Sequence, residues 1–498
     1  MPEHNSVAKL AGMLSGIAVL SSDVSDADIE SRNLEYLVAI ISEHFSGSTG
    51  LKVLTKQLLE QITKGSEMKA PVQIEVARRG EEVPSRDIDS NFTISESKVE
   101  KTTGTVDAFS EYFRDRFVKL RNFIETGSTS RGMLNNIESL KQYTNGREVS
   151  VIGMVSDKIT TKNGHILVTL EDETGSAKVL FLKADGGQAA AQFEAAERLI
   201  YDDVVAVQGR ISSPFVMART LVHPNIPIRE RRASEDDFAI AMISDTHVGS
   251  KFFLDKNFTS FIKWLNMGVD YRKDLAGKIK YLVVDGDLVD GIGVYPNQDR
   301  QLSVLDIYKQ YSIFFDFIKS IPSHIEVFVL PGNHDAVHRS EPQPRITDDL
   351  LGDFKQDNVH IVSNPTYITM DKVSLLAYHG ASLDSIIRNI PNCSYSNPEV
   401  GMTEILKRRH LSPVYGGNMI VPSKTDSLVI EKVPDILHMG HVHKNGTTEY
   451  HGTLLINSGT WQSRTEFQTK QGHLPTPSIV PVYEAKTMQL SHLDFNEV

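Results

Sequence analysis

Cysteine is almost missing: Cys393 is the single thiol in 498 residues. One thiol cannot form a disulfide within the chain, and its solitude fits a reducing compartment. Long apolar runs are also missing, since none approaches the roughly 18 residues of a membrane span. The start, MPEHNSVAKLAGMLSGIAVLSSD, has no basic segment before its apolar stretch and carries Glu3 and His4. It reads as a helix rather than a signal peptide, so the expected location is cytoplasmic. Positive charge is in deficit, with a net charge of −12. That excludes a general nucleic-acid coat and leaves phosphate binding to local patches.

What is present is ordinary for a globular protein: 40% hydrophobic and 23% charged residues. The length exceeds a single core, and about two to four domains are expected. Residues 1–65 read as a small helical domain. Leu34, Leu37, Val38 and Ile41 recur at helical spacing, and Leu51, Leu54, Leu58, Leu59 and Ile62 repeat the pattern. Residues 66–105 turn polar, with Pro71 and Pro84, and read as a flexible linker. Within 106–144, a helical connector, DAFSEYFRDRFVKLRNFIE puts Phe109, Phe113, Phe117, Leu120 and Ile124 on one face. Its basic edges, Arg114, Arg116, Lys119 and Arg121, read as a solvated flank ahead of nucleic-acid contact.

Residues 145–230 alternate apolar and polar positions, with turns at Asn163-Gly164 and Thr174-Gly175. Strands, a helix, then strands suit a small barrel of the OB type. Its scarcity of aromatics favours scaffold use over base stacking. From Asp236 onward strands and helices alternate, so residues 236–498 are expected to form an α/β layered domain.

In this last segment one event repeats: an apolar strand stops and Asp, His or Asn follows. FAIAMISDTH brings Asp245 and His247, YLVVDGDLVD brings Asp287, and EVFVLPGNHD brings Asn333 and His334. SLLAYHG then brings His379, and ILHMGHVH brings His441 and His443. Strand ends in layered folds lie side by side, so these groups can converge. Carboxylate, imidazole and carboxamide suit two divalent ions about 3.5–4 Å apart, and no thiolate argues for a structural zinc site. Asp245 and His247 can reach one ion from an extended strand end, as can His441 and His443. Asp287, after a glycine, is the natural bridging carboxylate. Asp285, Asp290 and His438 read as supporting rather than ligating groups. Asp335 either orients His334 or caps the turn.

The ordered set SDTH, GDLVD, GNHD, YHG and GHVH resembles the calcineurin-like metallophosphoesterases, over about residues 236–465. The resemblance implies a layered β-sandwich in which Asp245, His247, Asp287 and His443 hold one ion. Asp287, Asn333, His379 and His441 then hold the other, and His334 acts at the scissile phosphate. The wider layout resembles the small subunits of archaeal family D DNA polymerases. That resemblance implies a 3′–5′ exonuclease acting at a DNA primer 3′ end, a large polymerase subunit as partner, and two divalent ions. Mn²⁺ is the first candidate, with Mg²⁺, Fe or Zn²⁺ as alternatives. A non-catalytic scaffold and a stand-alone phosphatase or repair nuclease stay open. Two further loops could meet DNA phosphates or simply be solvated: HRSEPQPR, with His338, Arg339 and Arg345, and LKRRHLSP, with Lys407, Arg408 and Arg409.

Overall fold

A computed structural model of the chain describes residues 6–15, 19–20, 24–25, 38, 41, 53–59, 83–97, 99, 102, 104–127, 135–470 and 472–498. Near the start, the helix Ser6–Met13 accompanies a parallel pair, β1 (Val19–Leu20) with β2 (Val53–Leu54). Leu10, Leu14, Ile41, Leu54 and Leu59 bury together there. The all-helical expectation is corrected at Leu54, which pairs with Leu20 along a strand. Leu34, Leu37, Leu51 and Ile62 lie outside the described residues.

The linker expectation is corrected in its second half. Strand β3 (Phe92–Glu96) pairs antiparallel with Thr366–Met370 at the edge of a sheet. Phe92 and Ile94 pack on the core while Thr93 and Ser95 face water, the period-2 pattern of a half-buried strand. Residues 66–82 lie outside the described set.

The helix Val106–Thr126 starts at Thr105, whose hydroxyl accepts from the Ala108 amide at 3.2 Å. It sits between two bodies: Phe117, Leu120 and Ile124 pack with Ile152, Val204 and Ala206 on one side and Val429 on the other. The first body is a closed barrel of β4 (Glu148–Thr160), β5 (Ile166–Asp172), β6 (Gly175–Phe181), β7 (Val204–Ser212) and β8 (Phe215–Val222). The helix Gly187–Glu197 connects β6 to β7.

The second body is built on two six-stranded sheets. The first takes β9 (Ala239–Ile243), β10 (Ile279–Asp285), β11 (Glu326–Leu330) and β12 (Val359–Ile361), in the order β12-β11-β10-β9 and all parallel. The second runs through β13 (Thr366–Met370), β14 (Val373–Ala377), β15 (Ile436–Met439), β16 (Asn445–Tyr450) and β17 (Thr453–Ser458), with β3 at its edge. Strands β18 (Ile479–Glu484) and β19 (Leu490–Asp494) complete the first sheet.

Alternation along the strands explains the layering. Ile240, Met242, Tyr281, Val283 and Phe328 meet Ile368, Leu375 and Ile456 between the sheets. Their neighbours Ala241, Ile243, Leu282, Val284 and Val329 face the helices Asp255–Leu265 and Ile307–Lys319. Leu376, Leu437, Met439 and Leu455 pack under the helices Leu383–Asn389 and Pro398–Arg408. The result is a helix–sheet–sheet–helix sandwich, with the carboxyl ends of β9, β10, β11, β14 and β15 bringing the same edge into register. Among the described residues no helix is long and apolar enough to cross a membrane.

Buried ion pairs, not solvated charges, join the bodies. Arg116, 1% exposed, donates to Asp426 at 2.7 Å and to the Pro413 carbonyl at 3.0 Å. Arg408 pairs with Asp203 of the barrel at 2.8 Å and with Glu404 at 2.5 Å. Arg409 is buried and donates to the carbonyls of Ile430 and Glu431. The solvated-flank reading is therefore corrected for Arg116, and the DNA-facing reading for Arg408 and Arg409, because buried partners already occupy these guanidinium groups. Arg345 pairs with Glu96, and Lys407 with Glu404.

Candidate metal centre

Every residue expected at the site reaches one place. Two residues past β9 stands Asp245, two past β10 Asp287, three past β11 Asn333 and two past β14 His379; His441 and His443 follow β15. The chain turns sharply there, and the turns carry a backbone cost. Asp245 (φ 52), His247 (φ 48), Asp287 (φ 49), His441 (φ 68) and His443 (φ 56) all occupy the left-handed region. Such strain outside glycine persists where the surroundings over-determine it, commonly at functional sites. Gly332 answers a different need: a Cβ on it would lie 2.3 Å from Asp287 Oδ1 and 2.8 Å from His379 Nε2.

Two donor sets form and share one carboxylate. In the first, His247 Nε2 lies 3.0 Å from His443 Nε2, and His443 Nε2 lies 3.2 Å from Asp245 Oδ1. In the second, Asn333 Oδ1 lies 3.2 Å from His379 Nε2 and 2.9 Å from His441 Nδ1. Asp287 Oδ2 joins them, 3.7 Å from His247 Nε2 and 3.3 Å from His379 Nε2. Asp245, His247 and His443 form one group close enough to share a cation, and Asp287, His379 and His441 form another.

The surrounding bonds aim these rings. His247 Nδ1 donates to the Asp290 carboxylate at 3.1 Å, and His379 Nδ1 donates to the Asp285 carbonyl at 2.8 Å. Each leaves Nε2 directed at the cluster. Asp290 is itself held by Gln298 Nε2 at 2.9 Å and Gln462 Nε2 at 3.1 Å. His443 Nδ1 meets the Gln468 amide at 2.7 Å. Asp245 Oδ2 accepts from the His441 amide at 2.9 Å, while its buried Oδ1 has no hydrogen-bond partner. An unbonded carboxylate oxygen and imidazole nitrogens converging in a buried pocket, without thiolates, make a donor set that fits divalent ions.

The protein's own charges tell the same story. Burial raises the Asp245 carboxyl, but His443 and His247 outweigh it and hold it well below the usual range. Burial also raises Asp287, and His379 and His334 more than reverse it. His379 is pushed down by burial and lifted well above its ordinary value by Asp287. His247 behaves likewise beside Asp245 and Asp290 and is pushed up to about 10. The acids are held ionised, and cationic charge is drawn into their midst.

His334 stands at the edge of this cluster. Its Nδ1 donates to the Asp290 carbonyl at 2.8 Å, and its amide donates to Asp287 Oδ1 at 2.8 Å. Burial lowers its imidazole, with Asp287 offsetting only part. The Asp335 carboxylate makes no hydrogen bond to that ring. That carboxylate accepts from the Gly332 amide at 2.7 Å and the Tyr311 hydroxyl at 2.9 Å, so it caps the GNHD turn. Burial and the charge of Asp287 push it up to about 7. His438 bonds Ser458 Oγ at 3.0 Å behind the site, and burial pushes the Asp285 carboxyl well up.

The cluster opens into a cavity of about 410 Å³. Tyr295, Asp384, Arg388, Tyr395 and His473 also line it. None of these follows an apolar strand directly, so strand-end reasoning had no signal for them.

The chain matches the family of B subunits of DNA polymerases alpha and epsilon over residues 243–447, and the OB-fold nucleic acid binding domain over residues 149–228. It is similar to the DNA polymerase II small subunit of Archaeoglobus fulgidus, 42% identical over 383 residues, which are 76% of this chain and 75% of that one. It is also similar to the protein of that name from Methanothermobacter thermautotrophicus, 38% identical over 445 residues, covering 88% and 89%. The Methanocaldococcus jannaschii protein of the same name is 37% identical over 418 residues, covering 82% of this chain and 69% of its own.

Proposed function

This chain belongs to the DNA polymerase II small subunits of archaeal family D polymerases, and from that membership we propose that it carries a two-metal 3′–5′ exonuclease. In this reading residues 236–498 are a calcineurin-like phosphoesterase domain, preceded by the OB barrel of residues 145–230 and the helical pieces before it. The strand removed is a DNA primer 3′ end, and the partner that presents it is the large polymerase subunit.

Asp245, His247, Asp287 and His443 would hold one divalent ion, and Asp287, Asn333, His379 and His441 the other, with Mn²⁺ as the first candidate. Such ions, when bound, supply Lewis acidity to a phosphate group and acidify water near neutral pH. The chain's own residues do the rest. Asp290 and the Asp285 carbonyl fix the tautomers of His247 and His379 and so set the direction of each Nε2. His334 serves as the acid at the departing 3′ oxygen. Protonating that oxygen requires the imidazolium form, with the mobile proton on Nε2. The Asp290 carbonyl accepts from Nδ1 in either form and keeps the ring in place as Nε2 gains and loses its proton.

The observation that carries this reading is the pair of donor sets sharing Asp287, with His334 beside them. The test is Mn²⁺-dependent nucleotide release from a mismatched primer end. His334→Ala is expected to lose about 10²–10⁴-fold in rate, and Asp287→Ala at least as much. Equal rates in the wild type and both variants would return the chain to a scaffold role.

A further inference from the structure

Two aromatic rings stand at the mouth of the site without a part in the chemistry above. Tyr395 comes from the loop after the helix Leu383–Asn389, and His473 from the segment before β18. Their centroids lie 4.0 Å apart at 34°. Both are only half-buried and both line the cavity, with Arg388 exposed at its edge. The Tyr395 ring is not free to swing, because its hydroxyl donates to Asp384 Oδ1 at 2.9 Å. The other oxygen of Asp384 reaches His441 Nε2 at 3.3 Å. The aromatic pair is thus anchored on the His441 side of the cluster, while His334 packs against the His247 ring on the other side, 4.7 Å between centroids.

That division matches the two parts of a nucleic-acid end. The departing strand leaves through the oxygen that His334 serves. The terminal nucleoside stays on the phosphate and needs a surface elsewhere. A cavity of about 410 Å³ is within the range of sites for one small molecule. Stacked aromatic side chains offer a π-face to any of the bases without reading their edges. We infer that Tyr395 and His473 form a shelf on which the base of the nucleotide being removed stacks. This rests on the nuclease reading above and adds what the site holds besides phosphate.

The full chain with Mn²⁺ is given two oligodeoxynucleotides that differ only at the 3′ end: one bears a normal nucleotide, the other an abasic tetrahydrofuran residue. The base-bearing end is expected to be preferred in kcat/KM by about 5- to 150-fold, the range of base–aromatic stacking. Tyr395→Ala and His473→Ala bring that ratio toward one. His473→Ala leaves the Tyr395–Asp384 bond in place, and Tyr395→Phe keeps the ring without the hydroxyl, so Tyr395→Phe retains the ratio even where its absolute rate changes. A second readout does not use turnover. With Ca²⁺ in place of Mn²⁺, the fluorescence of a 3′-terminal 2-aminopurine is quenched on binding to the wild type and to Tyr395→Phe, and stays bright with the two alanine variants. Equal kcat/KM for both ends in the wild type, or a ratio and quenching that survive Tyr395→Ala and His473→Ala, overturns the shelf alone. Hydrolysis of neither end by the wild type overturns the nuclease reading, and the shelf with it.

Discussion

Asp384 holds His441 from behind: its Oδ2 lies 3.3 Å from Nε2 of a ring whose Nδ1 meets Asn333 Oδ1 at 2.9 Å. Burial raises the Asp384 carboxyl, and His441 more than offsets this, bringing it to about 2. Carboxylates that orient a ligating imidazole are commonly worth about 10–100-fold in metal affinity. Asp384→Ala is therefore expected to weaken binding of one divalent ion by about that factor and to leave the other nearly unchanged. Isothermal titration of the metal-free chain with Mn²⁺ resolves the two classes. An unaltered isotherm would show that Asn333 alone positions the ring.

The left-handed backbone at the centre predicts an unusual order of stability. At His443 (φ 56) any side chain carries a conformational cost that glycine escapes. In metal-free protein, His443→Gly should be more stable than His443→Ala by about 1 kcal/mol, opposite to the order in a helix. Urea denaturation of the two variants measures it. The reverse order would show the strain to be relieved when the imidazole is removed.

The joint between the bodies predicts a large effect far from the site. Arg116 and Asp426 are a fully buried pair, joined at 2.7 Å, with His410 Nε2 also 2.8 Å from the same Asp426 oxygen. Removing one partner leaves an uncompensated buried charge, at a cost of about 3–5 kcal/mol. Arg116→Ala should unfold at much lower urea concentration, whereas removing both charges with Arg116→Met/Asp426→Leu should recover much of the loss. A single variant as stable as wild type would mean that water reaches the pair.

The same pair sets an acid limit. Burial pushes the Asp426 carboxyl up, and His410 and Arg116 outweigh it, so its folded value lies well below the roughly 3.9 of an unfolded chain. Between the two values the unfolded chain binds the extra proton. The stabilisation is complete above about pH 5 and is lost as pH falls below about 4. The stability difference between wild type and Asp426→Asn should therefore shrink from pH 6 to pH 3. A difference that does not change over that range would contradict the assignment.

The groups at the centre were legible because each is tied to an apolar strand, and strand ends in a layered fold have fixed neighbours. Asp245, Asp287, Asn333 and His379 follow that rule directly. The supports were not legible for the converse reason. Asp384, Tyr395 and His473 lie on loops or a helix start, and only the folded chain brings them to the cavity. Arg116 looked like a solvated edge because its partner lies 310 residues away, beyond any local pattern. Strand β3 did leave a trace, the alternation of Phe92, Thr93, Ile94 and Ser95, submerged in polar surroundings. Asp335 was ambiguous between two roles until its oxygens were seen to accept from the Gly332 amide and the Tyr311 hydroxyl.

Because Asp287 belongs to both donor sets, the two halves of the centre cannot be lost separately at that position. A change at His443 or His441 damages one half and leaves a crippled remnant that later changes could restore. A change at Asp287 takes a donor from both sets at a stroke, while the apolar layers of the sandwich are built from other residues. Under the proposed nuclease reading, a descendant that kept its shape but gave up hydrolysis would need only that one step.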